Sequence, residues 1–247
     1  MNNDQHMNPL SRDEWALLYA NNDTYKTVLH NLQSKDYSVW TQELLNICQK
    51  GWRVCELGVG TGETTLALAQ MGCDVTCIDY SDDVLSFVGK IAKRLDLSIT
   101  TVHCDVLDSS QAGKNQFDVV FSCGLLEHFN FDDSVRVLNN YRDKCTKMIS
   151  MVPNAASIAY AHGKSLQERA GTWRWGKENP SYTQSYEFIC AGYEVEKEYT
   201  IGEKHALNFL DMNSGLRKEL EKLWDSNTVS NYHQGYLLVT IGGAQKQ

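Results

Sequence analysis

Val54-Cys55-Glu56-Leu57-Gly58-Val59-Gly60-Thr61-Gly62-Glu63-Thr64-Thr65 is the stretch from which the rest of the chain can be read. Val54 to Leu57 have the composition of a buried strand, Gly58, Gly60 and Gly62 make a turn, and the residues from Glu63 begin a helix. Glycine lets a ligand come against the backbone because no Cβ stands in the way. The following helix offers unpaired N–H groups and the positive end of its dipole. Such a turn suits a nucleotide or the carboxylate of an amino acid. Two familiar phosphate-site patterns do not fit. G-x-G-x-x-G/A requires Gly or Ala where this chain has Glu63, and a P-loop requires a lysine that this turn lacks. Instead an acid, Glu56, stands two residues before the first glycine.

Outward from this stretch, strand-like and helix-like runs alternate. Trp52 to Leu57, Asp74 to Asp79, Ser98 to His103, Phe117 to Cys123 and Thr146 to Val152 read as strands. Between them, Glu63 to Met71 reads as a helix closed by Gly72. Ser81 caps a helix with the apolar stripe Val84, Val88, Ile91 and Leu95, and Asp132 to Tyr141 reads as a third helix. This alternation predicts an α/β fold, a parallel sheet with helices on both faces that binds ligands beyond the carboxyl ends of its strands. Upstream, Ser11 and Glu14 fit a capping box with Leu10 and Trp15 as its hydrophobic staple. A second helix is predicted over Ser34 to Lys50, with Tyr37, Trp40, Leu44, Leu45 and Cys48 on one face and Gly51 as its stop. Downstream of Pro153 the period is lost, and residues 154–182 read as a helix followed by a long loop. Residues 183–201 give a helix and a strand, 203–225 read as helical, Tyr236 to Ile241 is a last strand, and the tail from Gly242 is expected to fray.

The chain has 247 residues, 42% of them apolar, which is enough for one sizeable core. It has no apolar run long enough to span a bilayer, and MNNDQHMNPL at the N-terminus is too polar for a signal peptide. A net charge of −8 with no basic run argues against a nucleic-acid partner. The eight cysteines form no C-x-x-C pair, which fits reduced thiols in the cytoplasm and no metal cluster.

The pattern E-x-G-x-G-x-G over Glu56 to Gly62 resembles motif I of the class I S-adenosylmethionine (SAM)-dependent methyltransferases. Four further runs follow in order. Val75-Thr76-Cys77-Ile78-Asp79 ends in an acid able to accept hydrogen bonds from both ribose hydroxyls. His103-Cys104-Asp105-Val106 resembles the family's adenine-side segment. Phe117-Asp118-Val119-Val120-Phe121-Ser122-Cys123-Gly124-Leu125-Leu126-Glu127-His128 resembles motif IV of its small-molecule branch, and Met148 to Asn154 its following strand. The resemblance covers about residues 50–155. It implies a Rossmann-like, seven-stranded, mostly parallel sheet with an antiparallel last strand. It also implies an N-terminal helical cap segment (1–49) and a SAM-binding domain (50–247) with a cap insertion (154–182).

The cofactor set that the resemblance implies is Glu56, Gly58, Gly60, Gly62, Asp79, Tyr80, Asp105, Val106 and Cys123. The implied activity is methyl transfer from SAM, which leaves S-adenosylhomocysteine (SAH), to oxygen or nitrogen of a small molecule. The competing readings are a SAM-binding protein without catalysis and an NAD-dependent oxidoreductase. Glu63 and the Leu126-Glu127-His128 run argue against the oxidoreductase. His128 is either a catalytic base or a histidine bonded to backbone beside the cofactor. Tyr19 and Tyr25 either fold over the methionine end of SAM or pack in the core. Tyr160, His162, Trp173 and Trp175 are the candidate acceptor-side residues, because aromatic faces hold rings, sugars or cationic amines. The partners expected are a small-molecule acceptor with no nucleic acid, membrane or metal ion, in a cytoplasmic monomer or homodimer.

Overall fold

A computed structural model describes residues 8–108, 116–225 and 234–244. Seven strands form one sheet: Arg53–Leu57 (β1), Asp74–Asp79 (β2), Thr100–His103 (β3), Phe117–Cys123 (β4), Cys145–Pro153 (β5), Tyr193–Ile201 (β6) and Leu237–Ala244 (β7). Their order is β3-β2-β1-β4-β5-β7-β6, and β7 runs antiparallel to both of its neighbours while all other pairs are parallel. From β1 the chain steps outward to β2 and β3, then returns to place β4 on the other side of β1. That reversal opens a crevice at the carboxyl ends of β1 and β4.

The strands alternate their side chains between two apolar layers. Val54, Val75, Val119, Phe121, Ile149 and Met151 face one layer, packed under Asn22–Ser34 (α2), Val39–Ile47 (α3), Glu63–Met71 (α4) and Asp82–Arg94 (α5). Cys55, Leu57, Ile78, Val120, Met148 and Val152 face the other, packed against Phe131–Arg142 (α6) and Ser185–Cys190 (α8). Phe121 is fully buried, and removing such a side chain from water is worth roughly 1.5–3 kcal/mol. A third cluster, with Ala159, Leu207, Leu210, Leu220 and Trp224, joins Ile158–Ala170 (α7), Glu203–Ala206 (α9) and Gly215–Asp225 (α10). Arg12–Tyr19 (α1) begins at the expected capping box, with Ser11 and Glu14 bonded in both directions. No helix among the described residues is long and apolar enough to cross a membrane.

Three elements differ from the sequence reading. The helix expected over Ser34 to Lys50 is shorter, because Ser34 ends α2, Lys35 turns left-handed (φ 59°), and α3 runs only over Val39–Ile47. The helical run expected over 203–225 is broken into α9, a 3-10 turn at Leu207–Phe209, and α10. The tail does not fray at Gly242, since β7 pairs with β5 and β6 through Gly243 and with β6 at Ala244. A Cβ on Gly242 would stand 2.6 Å from the Phe188 ring, so glycine is what lets that ring lie on the strand. The polar leader 1–7 and the last residues 245–247 lie outside the described residues.

Gly163 shows how tightly the cap is docked. A Cβ there would meet the Phe209 carbonyl oxygen at 2.2 Å, a backbone atom that cannot swing away. Gly163→Ala should lower stability in urea by about 1–3 kcal/mol. Gly89→Ala, on α5 where nothing lies within 4 Å, should raise it by about 0.5–1 kcal/mol. Equal effects of the two substitutions would contradict this packing.

Candidate active site

The turn between β1 and α4 is held by a carboxylate from the next strand. Asp79 is buried at the end of β2; its Oδ2 accepts from the Val59 amide at 3.0 Å and its Oδ1 from the Ser81 amide at 2.9 Å. Burial raises the Asp79 pKa, and the surrounding backbone amides pull against that rise. Gly60 and Gly62 sit at positive φ (53° and 71°), so the turn needs residues without a Cβ penalty. The Tyr19 ring lies over Gly60, where a Cβ would be 3.6 Å from Cζ. Gly62 is the N-cap of α4, where a Cβ would stand 2.6 Å from Val88 Cγ2; it does not line the cleft, so its role is to fit the turn onto α5.

Above this turn a cleft of about 770 Å³ runs over the carboxyl ends of β1, β2 and β4. Glu56, Gly58, Gly60, Asp79, Tyr80 and Asp105 line it, together with Val106 and Cys123. Of the nine expected cofactor residues, the structure therefore brings all but Gly62 to one cavity. Asp105 is exposed and its Oδ1 accepts from the Leu107 amide at 2.9 Å, while Val106 beside it is buried. The Arg12 guanidinium stands 5.0 Å from the Tyr80 ring centre, which places α1 against the β2 end of the cleft.

Two glutamates of the glycine stretch have separate tasks. Glu56 is buried in the floor and accepts from the Thr65 hydroxyl; burial lifts its pKa to about 8. Glu63 anchors the N-terminal helices, accepting from Asn31 Nδ2 (2.8 Å), the Ser38 amide (2.9 Å), Ser38 Oγ (2.7 Å) and Thr41 Oγ1 (3.1 Å). The sequence reading used Glu63 only to exclude a dinucleotide fingerprint. Its anchoring role depends on residues at least 22 positions away and has no local pattern.

On the far side of the cleft, the 3-10 turn Leu126–His128 follows β4. His128 Nδ1 lies 2.9 Å from the Lys177 carbonyl. A carbonyl only accepts, so Nδ1 carries the proton and Nε2 presents its lone pair. Burial lowers the His128 pKa. The Trp15 ring meets His128 edge-on at 4.9 Å. His128 lines the cleft and is bonded to backbone through Nδ1. Glu127 beside it is pushed well above the ordinary carboxyl range, by burial first and by Glu178 second. Glu178, from the loop after α7, is raised by burial and accepts from the Tyr160 hydroxyl at 2.6 Å.

The acceptor-side expectations divide. Tyr19 and Trp175 line the cleft with their rings 6.2 Å apart, and Tyr19 stacks on Trp15 at 5.5 Å. Four others do not line it. Tyr25 packs edge-on against Phe87 of α5, in the core below α2. His162 is exposed on α7. Tyr160 is buried behind the wall, with its hydroxyl spent on Glu178. Trp173 is buried, donates from Nε1 to the Gly176 carbonyl at 3.1 Å, and lies under the Lys164 ammonium at 4.1 Å. Trp175 lines the cleft and Trp173, two residues before it, does not. Sequence reading missed Trp15, Trp40, His205, Phe209 and Tyr236 as wall residues, because they converge from segments far apart in the chain. All eight cysteines are free thiols.

The fold and the cleft share one layout: a Rossmann-like α/β domain of the kind found in methyltransferases, with its cleft at the sheet's switch point. Residues 54–147 match the family model of the methyltransferase domain. The match is to the domain of SAM-dependent methyltransferases and covers the first part of the sheet, from β1 to β5. A ubiquinone biosynthesis O-methyltransferase from Bordetella avium is 35% identical over 98 residues, which span 39% of this chain and 39% of that protein. Among solved structures, magnesium protoporphyrin IX methyltransferase from Synechocystis, with bound SAH, superposes with a TM-score of 0.57 at 14% identity, covering 94% of this chain and 93% of that one. A TehB-like SAM-dependent methyltransferase from Corynebacterium glutamicum does so with a TM-score of 0.54 at 13% identity, covering 90% and 97%. At these identities the structural likeness speaks for the fold.

The buried Glu56 carboxyl gives a pH test. An unfolded glutamate titrates near its ordinary 4.5 and the folded one near 8. The folded chain therefore keeps a proton that the unfolded chain loses between those values. This group's contribution is full below the lower value and is lost as pH rises through the higher one. In ligand-free protein, Glu56→Gln should gain stability relative to the parent as pH rises from 5 to 8.5, read by urea denaturation. An unchanged difference at the two pH values would contradict the assigned burial.

Proposed function

We propose that this protein transfers the methyl group of SAM to oxygen or nitrogen of a small-molecule acceptor. The observation that carries this reading is one continuous cleft with two unlike ends. One end is the glycine turn locked by Asp79, and the other is walled by Trp15, Tyr19, Trp175, Phe209 and Tyr236. Asp79 lines the cleft at the end of β2, where its carboxylate would accept from a ribose diol. Gly58 and Gly60 leave room along the backbone for the methionine end, and Asp105 with Val106 stand where the adenine would lie. SAM supplies an activated methyl on a sulfonium. The protein's share is alignment and exclusion of water, where positioning contributes up to ~7–11 kcal/mol. Residues 154–182 and the N-terminal helices serve as the cap over the acceptor end. Trp175 and Tyr19 would hold the acceptor, and His128 Nε2, with its lone pair, would take a proton from an acceptor protonated at working pH.

The ubiquinone and protoporphyrin names of the similar proteins support a small molecule as acceptor, and the net charge of −8 agrees with a partner other than nucleic acid. We place the protein in the cytoplasm, as a monomer or homodimer. Calorimetric titration should show SAM and SAH binding with NAD silent, and a screen of small acceptors with radiolabelled SAM should yield a methylated product. NAD binding in preference to SAM would overturn the class of ligand. SAM binding with no product across the screen would favour a non-catalytic binding protein.

The division of the two tryptophans is a separate test. Trp175→Ala should raise the acceptor KM while SAM affinity stays within about twofold, since binding common to ground and transition states is lost. Trp173→Ala, which empties a buried site, should chiefly lower stability, by about 3–5 kcal/mol. If Trp175→Ala leaves KM unchanged, the acceptor does not rest on that ring.

A further inference from the structure

Glu127, His128 and Glu178 meet at the acceptor end of the cleft, and one ligand atom from each lies within 4.8 Å of the others. They come from two segments docked by backbone. The Asn179 amide donates to the Glu127 carbonyl at 2.8 Å, Asn179 Nδ2 to the same oxygen at 3.1 Å, and His128 Nδ1 to the Lys177 carbonyl at 2.9 Å. The Glu127 side chain is only 2% exposed, and its Oε2 is buried with no hydrogen-bond partner among the described residues. Such an oxygen is a standing cost unless a cation or donor arrives. His128 Nε2 presents a lone pair toward Glu127 Oε1 at 3.9 Å, too far for a hydrogen bond between them. Lys164 Nζ pairs with Glu168 at 2.8 Å and lies 3.6 Å from Glu178; its charge acts on Glu127, yet Glu127 Oε2 has no hydrogen-bond partner among the described residues.

We propose that Glu127, Glu178 and Nε2 of His128 form a three-acceptor seat for the ammonium group of an amine-bearing acceptor. This rests on the methyltransferase reading for the use of the cleft and adds the chemical class of the molecule that enters it. The spacing separates an ammonium from a zinc ion. Three acceptors about 2.8 Å from one ammonium nitrogen lie about 4–4.6 Å apart. Ligands about 2.1 Å from a zinc ion lie about 3–3.4 Å apart. The 3.9 Å between His128 Nε2 and Glu127 Oε1, with no pair beyond 4.8 Å, matches the ammonium. An ammonium also has three donors for three acceptors. Trp15, Tyr19, Trp175 and Tyr236 wall the same cleft and offer ring faces to the cation and to the apolar body that carries it.

The test uses the full chain saturated with SAH, so that cofactor binding is established first and its failure is read separately. Benzylamine, 2-phenylethylamine and tryptamine are titrated beside the matching neutral alcohols, with tryptophan fluorescence and calorimetry as readouts. The amines should bind about tenfold or more tightly than the alcohols. Glu127→Gln should erase that preference while SAH affinity holds. Glu178→Gln, which keeps an acceptor for the Tyr160 hydroxyl, should reduce it. Equal binding of amines and alcohols to the parent protein overturns the proposal, as does an amine preference that survives undiminished in both variants. Stoichiometric Mn²⁺ or Zn²⁺ binding that the amines do not displace, lost in Glu127→Gln, assigns the cluster to a metal instead and also overturns it.

Discussion

The buried carboxylate of Asp79 ties two turns together. Its two oxygens take the amides of Val59 and Ser81, so the turn after β1 and the turn after β2 share one acceptor group. Each amide belongs to a loop that would otherwise leave a donor unmet inside the protein, which costs about 1–3 kcal/mol per group. The glycines can therefore hold positive φ in a fixed arrangement, and the N-terminus of α4 is aimed at the cleft. Every later feature of the site is measured from that frame: Tyr19 over Gly60, Glu56 under the turn, Cys123 and the Glu127–His128 turn across from it.

A second carboxylate, Glu63, extends the frame outward. Its bonds to Asn31, Ser38 and Thr41 fasten α2 and α3 to α4, and α1 then lies across the cleft mouth with Trp15 and Tyr19 inside. Glu56, Asp79, Glu127 and Glu178 all have carboxyl groups pushed upward by burial. Four such groups around one cavity disfavour water-like anions and favour ligands that bring positive charge, as a sulfonium or an ammonium does. The walls are aromatic and the floor is acidic, a combination that favours organic cations over phosphates.

Much of the core was legible because its determinants are local. The strand–glycine–helix order from Val54, the acid ending β2 and the cap at Ser81 each rest on neighbours in sequence, and each appears in the structure. The antiparallel β7 followed from the family resemblance, not from any periodicity. What failed was set by contacts at long range. Lys35 ends α2 and puts off the start of the expected helix to Val39, by a left-handed conformation that nothing in its composition announces. Gly242 continues a strand because Phe188 packs on it. On the acceptor side, Tyr160 and Trp173 carry the same aromatic signal as Trp175, yet the first spends its hydroxyl on Glu178 and the second its indole on Gly176. Only tertiary placement tells a wall residue from one behind the wall.

The most direct measurement is a crystal structure of the protein with SAH. The account requires both ribose hydroxyls within hydrogen-bond distance of the Asp79 carboxylate, the adenine against Asp105 and Val106, and the sulfur facing the end of the cleft that holds His128 and Tyr19. SAH bound elsewhere, or seated in the cleft without touching Asp79, would contradict it.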